Sequence, residues 1–499
     1  MDIKRILEIQ SQRGAASITT DSQMKSIDWV VNDCRRHIQD KSDVYRDLDP
    51  IAKRNAIKEL IVGYVMQNNF LVEDYVTDDG HLDTNRLVDR LVEDITDYGI
   101  LTVAMMDPSI FEIRCNGKEI KVEKDGRIVD LTDNEGNIIS FSSVEQQDIV
   151  MRKLLGDVRL TPKDSLPNSR TVEGYRIAAV HSSRISPDPS DPTAQAYHAF
   201  VLRKFRKTKM SLDEIVRNRT LSDNMARFLS LVTAGGLTFC TVGPTASGKT
   251  TTNNSILQAV PPSTRTVLIQ NPSEIDLRKK DSSGRVYNDV LHLEAIDKEN
   301  PTSKDATMEN LMIHSLRLSP TFMCFGELRT NKEFKLGLQI GQAGHPFNCT
   351  YHAWDSHEAI KRYLVAYLSE SGNEPSHLAL DTITSIIDII IVQKRLKDGS
   401  RKIVQISEVL GVSDNNRERA EINDLYIFDV DADPIYDDAG NVIEIRGRHK
   451  RVGKLRGRAI QKFKFEGVRS SDYEFIMRDI DEDEEETYTG ENVYLGRVR

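Results

Sequence analysis

The eight residues Gly243-Pro244-Thr245-Ala246-Ser247-Gly248-Lys249-Thr250 fit the pattern G-x-x-x-x-G-K-[ST]. The spacing has a chemical reason. The glycines let the backbone curl so that successive N–H groups converge on one centre, a concavity that accepts phosphate oxygens. Lys249 is spaced to reach β- and γ-phosphates, and the Thr250 hydroxyl to ligate Mg²⁺. A helix N-terminus beneath the loop adds its positive dipole end. The flanks supply what such a loop needs. Residues 237–242 form a short apolar, β-prone run bounded by Gly236 and Gly243. Residues 251–260 lack Gly and Pro until Pro261, and so read as a helix. A buried strand, a loop and a helix in that order demand an α/β fold with the ligand at the carboxyl ends of parallel strands. The nucleotide-binding set is then Gly243 through Thr250, followed by Thr251.

The rest of the chain limits the context. In 499 residues, 39% are hydrophobic and 29% charged, which suits several globular domains. No run approaches the roughly 18 apolar residues that cross a bilayer, and the first residues lack a signal-peptide core. A cytoplasmic protein with at most peripheral membrane association is expected. The net charge of −10 argues against nucleic acid as a direct ligand. Five scattered cysteines without a C-x-x-C pair fit a reducing compartment. Residues 446–464 are rich in Lys and Arg, and 481–486 are unbroken acid. These read as a solvated basic face and an acidic tail, or as a contact for a charged partner or anionic lipid head groups.

Texture divides the chain into four parts. Residues 1–97 read as a helical region, with apolar residues at helical spacing in 51–70 and at Leu87, Leu91, Val92 and Ile95. Residues 98–205 read as a small α+β domain: alternating strands turn at Asn116-Gly117 and Asp125-Gly126, a helix covers 144–155, and strands cover 174–180 and 199–203. A proline-rich loop at 186–192 and a linker near 206–210 follow, and Ser211 with Glu214 forms a capping-box signature. Residues 206–420 alternate strand and helix, with strands expected at 237–242, 266–269, 322–325, 348–351 and 386–392. Residues 421–499 read as a C-terminal extension with hairpin-like strands, the basic stretch and the acidic tail.

Hydrolysis requires more than a phosphate loop. The apolar strand 322–325 ends in Gly326-Glu327-Leu328-Arg329, which puts a carboxylate where it can polarise water or hold metal-bound water. Strand 266–269 runs through Gln270, Asn271 and Pro272 to a second acid, Glu274. His345 and His352 flank the strand at 348–351. As a metal pair they lack a third ligand; as phosphate sensors or inter-strand ties they are candidates.

In this order, these segments resemble the boxes of the type II/type IV secretion ATPase superfamily over roughly residues 98–412. Residues 243–250 resemble its Walker A box, 270–274 its Asp box, 326–329 its Walker B and 344–353 its His box. The resemblance implies a RecA-like P-loop ATPase domain preceded by a small PAS-like α+β domain that caps ATP. It further implies Mg²⁺, a homohexameric ring and membrane platform proteins of a secretion, conjugation or pilus machine as partners. It also implies arginines that reach the phosphates: Arg176, Arg203 and Arg329 match those positions. One departure stands out. The family's acidic pair before the proline is here Gln270 and Asn271, amides without charge. Glu274 and Glu327 are then left to carry the site's acidity, metal-facing oxygens included, and slow turnover is expected. A hexameric ATPase motor is the leading expectation. An ATP-gated assembly switch with little hydrolysis is the alternative, and a DNA translocase the third.

Overall fold

The structure is a computed structural model. It describes residues 23–491 apart from 42–43, 46–47, 49, 69, 78–80, 125–126, 134, 157, 187–195, 205–209, 272, 297–305, 373 and 481–484. Most of the proline-rich loop and of the linker expected near 206–210, the Asp125-Gly126 turn and residues 481–484 of the acidic run thus lie outside the described residues. The chain divides into two compact units, Met1–Thr208 and Lys209–Arg499.

In the first unit, helices α1 (Ile27–Asp40), α2 (Pro50–Gln67) and α3 (Thr84–Thr96) bury the apolar stripes that the sequence announces, around Cys34, Ile38, Ile61, Leu87, Leu91 and Ile95. Ser26 and Asp83 start α1 and α3 by accepting hydrogen bonds from Trp29 N and Arg86 N. A short parallel pair, β1 (Gln23–Lys25) with β2 (Phe70–Val72), accompanies them. After α4 (Thr102–Met106) comes an antiparallel sheet of six strands. They are β3 (Ile110–Asn116), β4 (Glu119–Lys124), β5 (Arg127–Asp130), β6 (Asn168–Arg170), β7 (Arg176–Val180) and β8 (Ala199–Arg203), in the order β5-β4-β3-β8-β7-β6. Helix α5 (Val144–Leu155) packs Val150, Met151 and Leu154 onto the face that carries Ile113, Cys115, Ile177 and Leu202. Period-two alternation sends the intervening residues to the opposite face. There, Glu123, Glu112, Arg203, Arg176 and Arg170 align in register across five strands.

The second unit is built on one sheet of nine strands. Six are parallel, in the order β11-β10-β12-β13-β9-β14: β9 (Phe239–Val242), β10 (Thr266–Gln270), β11 (Val290–Glu294), β12 (Phe322–Phe325), β13 (Phe347–Tyr351) and β14 (Ile389–Arg395). Strands β9, β10, β12 and β13 are buried at every residue, as a parallel sheet covered on both faces requires. One core lies under α6 (Leu212–Arg217), α7 (Asp223–Ala234) and α8 (Lys249–Leu257). The other lies under α9 (Met308–Ser315), α10 (Asn331–Gln342), α11 (Ser356–Ser371) and α12 (Ser376–Ile386). The capping box at Ser211 and Glu214 is present.

The sequence-based boundary at 420/421 is corrected here. It falls inside β16 (Asn416–Asp429), which pairs antiparallel with β15 (Arg401–Ser413) and with β19 (Arg448–Arg451); β15 in turn pairs with β14. A small hairpin, β17 (Ile435–Tyr436) with β18 (Val442–Glu444), precedes β19. Helices α13 (Arg458–Phe465) and α14 (Ser470–Met477) bury Phe463, Tyr473 and Ile476 in the first of the two cores. Residues 421–477 are thus part of the sheet domain and not an extension to it.

The basic stretch is largely surface, as expected, but several of its cations are paired within the chain. Asp388, with 1% of its side chain exposed, receives Arg458 Nε at 2.8 Å and Lys462 Nζ at 2.6 Å. Lys450 pairs with Asp429, Arg448 with Glu485 and Lys454 with Asp479, and Arg451 donates to the carbonyls of Arg478 and Asp479.

Candidate active site

The carboxyl ends of β9, β10, β12, β13 and β14 share one edge of the parallel sheet, and the loops that leave them build the site. The phosphate loop follows β9. Gly243 has φ +153°, and a Cβ there would sit 2.0 Å from the Gln393 carbonyl oxygen at the end of β14. Gly248 has φ +94° and directly precedes α8. Larger residues would collide with β14 at the first position and strain the backbone at the second. Between them, Ala246 takes φ +62°, and the Ser247 hydroxyl is buried without a hydrogen-bond partner among the described residues. Thr250 and Thr251 lie in the first turn of α8, and Thr252 Oγ1 accepts from Gln393 Nε2 at 2.9 Å.

Lys249 folds back over its own loop, donating to the Gly243 and Pro244 carbonyls at 2.9 and 3.0 Å. Burial pushes its ammonium down to about 8, partly opposed by the nearby charge of Glu327. A desolvated cation in the first turn of a helix that follows a glycine-rich loop suits an anion.

Lys249 Nζ lies 3.3 Å from His352 Nδ1, and His352 Nε2 lies 3.1 Å from Glu327 Oε1. Glu327 Oε2 receives Arg329 Nε at 2.7 Å, and Arg329 Nη2 donates to the Asn271 carbonyl at 3.2 Å. His352 Nδ1 also lies 3.1 Å from the Gly243 carbonyl. That nitrogen can accept from Lys249 or donate to the carbonyl, so the position of the ring proton selects the contact. The result is a continuous polar chain from the phosphate loop through His352 and Glu327 to Arg329.

Local structure fixes each member. Gly326 is required because a Cβ there would lie 2.8 Å from Gln270 Cβ. The Gly326 carbonyl accepts from Thr350 Oγ1 at 2.6 Å, and Leu328 N donates to Thr350 O, which lashes the Glu327 segment to β13. Arg329 N donates to Glu333, whose capping box with Thr330 opens α10.

The Gln270 side chain has a different role from the acid it replaces in the pattern. Its Oε1 accepts from Glu274 N and Ile275 N at 3.0 and 2.8 Å, and its Nε2 donates to Ser273 Oγ and Ile275 O at 3.0 and 2.7 Å. It braces the 271–275 turn. Glu274 is exposed on that turn. Glu294, at the end of β11, accepts from Ser273 N at 3.2 Å and brings another carboxylate to the same edge.

His345 is not brought to this chain. It precedes β13 while His352 follows it, so about 23 Å of strand separates them at roughly 3.3 Å per residue. Its role as a phosphate sensor for the loop of its own subunit is corrected accordingly. Arg176 and Arg203 belong to the first unit, where they are register partners on β7 and β8. Arg203 donates from Nε and Nη2 to the buried Glu112 at 3.2 and 3.0 Å, and Glu112 receives Arg114 on its other oxygen. Sequence reasoning did not assign Gln393, Glu294 or Arg401 to the site; Glu294 ends β11, Arg401 begins β15 and Gln393 lies two residues before the end of β14.

The family profile described as type II/IV secretion system protein matches residues 113–473. The chain belongs to this family. It is a family of ATPases, and its conjugative branch is represented among the relatives. This chain is 24% identical over 217 residues to VirB11 of Agrobacterium fabrum, covering 43% of this chain and 59% of that one. It is 26% identical over 329 residues to TrbB of Sinorhizobium fredii, named a probable conjugal transfer protein, covering 64% and 90%. Among solved structures, the ATPase DotB of Yersinia pseudotuberculosis aligns at 16% identity with a TM-score of 0.47, covering 64% of this chain and 80% of that one. The first curated relatives are matched over 39% to 61% of their own length.

The residues fit a nucleoside triphosphate. The positive-φ glycine cradle, the unpartnered Ser247 hydroxyl and the depressed Lys249 ammonium each answer to a phosphate chain. Among the described residues, no cluster of three or more His, Cys, Asp or Glu could hold a metal by itself. A Mg²⁺ here would share its coordination with phosphate oxygens, as that ion commonly does. No helix among the described residues is long and apolar enough to cross a membrane.

Proposed function

We propose that this chain is a Mg²⁺-dependent ATPase whose homohexameric ring energises a secretion or conjugation machine from the cytoplasmic face of a membrane. The observation that carries the proposal is the polar chain Lys249–His352–Glu327–Arg329, assembled at the carboxyl edge of the sheet beside the phosphate loop. The loop amides and Lys249 hold the phosphates. The Thr250 hydroxyl and Glu327 are the oxygens available to Mg²⁺, with Glu274 on the neighbouring turn. When bound, the ion supplies positive charge that offsets the charge on the β- and γ-phosphates.

The Glu327 carboxylate accepts a proton from the attacking water. Arg329 fixes one of its oxygens, and His352 links the other to Lys249, so a change at the phosphates reaches the acid. The resemblance assigns the PAS-like role to the first unit's sheet and the RecA-like role to the second unit, and names Arg176 and Arg203 as phosphate-reaching cations. The matches to VirB11 and TrbB support a transfer machine with membrane platform proteins as partners.

The experiment is phosphate release by the purified full chain with ATP and Mg²⁺, alongside Lys249→Ala and Glu327→Gln. Lys249→Ala is expected to lose binding. Glu327→Gln is expected to bind but not turn over. A second reading, an ATP-gated assembly switch with little hydrolysis, is favoured by the amide at position 270, which braces a turn and adds no charge. Equal turnover in wild type and Glu327→Gln would select the switch.

A further inference from the structure

A cation beside the second glycine of the phosphate loop comes from β15, two strands away from β9. Strand β14 runs parallel to β9 and ends beside the loop; the chain turns at 396–400 and returns as β15. Arg401 is the first residue of β15 and the register partner of Arg395. A Cβ built on Gly248 would lie 2.8 Å from Arg401 Cδ and 3.4 Å from Arg401 Nε. The arginine stem therefore lies against the residue immediately before Lys249. Gln393, two residues before Arg395, meets the same glycine, with its Nε2 3.2 Å from that Cβ position, and also binds Thr252. The β14–β15 hairpin thus forms one wall of the loop.

Arg395 and Arg401 are register partners and so share one face of the hairpin, whereas Lys394 turns to the other face and lies 3.8 Å from the Trp354 ring centroid. A concentration of cations at the mouth of a phosphate loop is favourable when an anion is shared between them. Arg401 contacts the loop itself. Its planar, permanently charged fork suits phosphate oxygens better than the depressed Lys249 ammonium alone.

We propose that Arg401 is a phosphate-binding residue of the nucleotide site, reaching the phosphate chain from the β14–β15 hairpin at Gly248. The proposal rests on the nucleotide-binding reading above and adds to it a cation from the loop's own subunit that none of the four sequence boxes contains.

The test is equilibrium binding of a fluorescent ADP analogue to the full chain, with unlabelled ADP and ATP as competitors. Arg401→Gln is expected to weaken both nucleotides by tenfold or more. Arg401→Lys should fall between it and wild type, since the charge stays and the fork is lost. Lys397→Gln, exposed on the same turn, should bind as wild type does. Wild-type affinity in a folded Arg401→Gln protein overturns the proposal. Should Arg401→Gln fail to fold, arginine modification of the wild-type protein by phenylglyoxal, mapped by mass spectrometry, decides it. ADP should shield Arg401, adenosine should not, and equal labelling with and without ADP overturns the proposal. A wild-type chain that binds no nucleotide at all would instead sink the reading of the whole site, so the two failures are separable.

Discussion

Asp388 offers the sharpest measurement of how the C-terminal segment is held. Its carboxylate is 1% exposed and accepts three hydrogen bonds: Arg458 Nε at 2.8 Å, Lys462 Nζ at 2.6 Å and Thr238 N at 2.8 Å. Asp388→Asn keeps the volume and removes the charge. Deleting one partner of a buried ion pair costs about 3–5 kcal/mol, because the other charge is left uncompensated. Here the cationic side chains are 33% and 32% exposed and can turn toward water, which places the expected loss near the lower end, about 3 kcal/mol. That is roughly 150-fold in the ratio of folded to unfolded second unit. The chain has two tryptophans, Trp29 in the first unit and Trp354 in the second. In a Trp29→Phe background, Trp354 fluorescence during urea unfolding reports on the unit that contains Asp388. Lys450→Met serves as the comparison: its pair with Asp429 is 40% exposed on both sides, and its loss should cost less than about 1 kcal/mol. Should Asp388→Asn shift stability no more than Lys450→Met, the argument that α13 is anchored through a buried charge is wrong.

Three further outcomes follow from the site and its surroundings. Glu327→Gln should lower the hydrolysis rate by about 10²–10⁴-fold, the usual worth of a general base, with ADP affinity retained; phosphate release and binding titrations check it. Because burial holds the Lys249 ammonium at about 8 and a bound phosphate favours the charged form, ADP binding at pH 8 should take up about half a proton. Calorimetry in two buffers of different ionisation enthalpy measures this, and zero uptake would contradict the assignment. Burial also raises the Glu408 carboxyl to about 7, above its unfolded value near 4.3. The unfolded chain then ionises first, so this group's contribution to stability falls as pH rises from about 4.5 to 7. Relative to wild type, Glu408→Gln should gain stability between pH 5 and pH 8, by up to about 3 kcal/mol in urea midpoints; an unchanged difference would place that carboxyl in the ordinary range.

Short-range chemistry was legible. The phosphate loop, the strand at 322–325, the helix at 144–155 and the capping box at Ser211 were each written in a handful of adjacent residues, and each appears within a residue or two. What failed required knowledge of pairing. Residues 421–451 carry no uniform hydrophobic run, because β16 is an antiparallel strand near the sheet edge with alternating exposure, and its partner β19 is a string of cations. The pairing of the basic stretch was not legible because its counter-charges, Asp388, Asp429 and Asp479, lie 21 to 74 residues away in sequence. His345 and His352 looked alike as a flanking pair. Only strand direction separates the end that meets Lys249 from the end that does not.

The amide at position 270 now has a physical reason. A charged carboxylate in its place could accept from Glu274 N, Ile275 N and the Ser273 hydroxyl, but Ile275 O receives a hydrogen bond from Gln270 Nε2 at 2.7 Å. A carboxylate has no donor to offer that carbonyl. The buried Ile275 carbonyl would then face a buried negative charge, and the 271–275 turn would have to rearrange. This turn also carries the Asn271 carbonyl that orients Arg329, and Arg329 orients Glu327. Acidity at 270 has thus been exchanged for rigidity two contacts away from the acid that remains. Gln270→Glu should loosen that acid's orientation rather than add a second base. Hydrolysis by this variant is expected to fall below wild type, and a rise would show that charge, not geometry, limits the site.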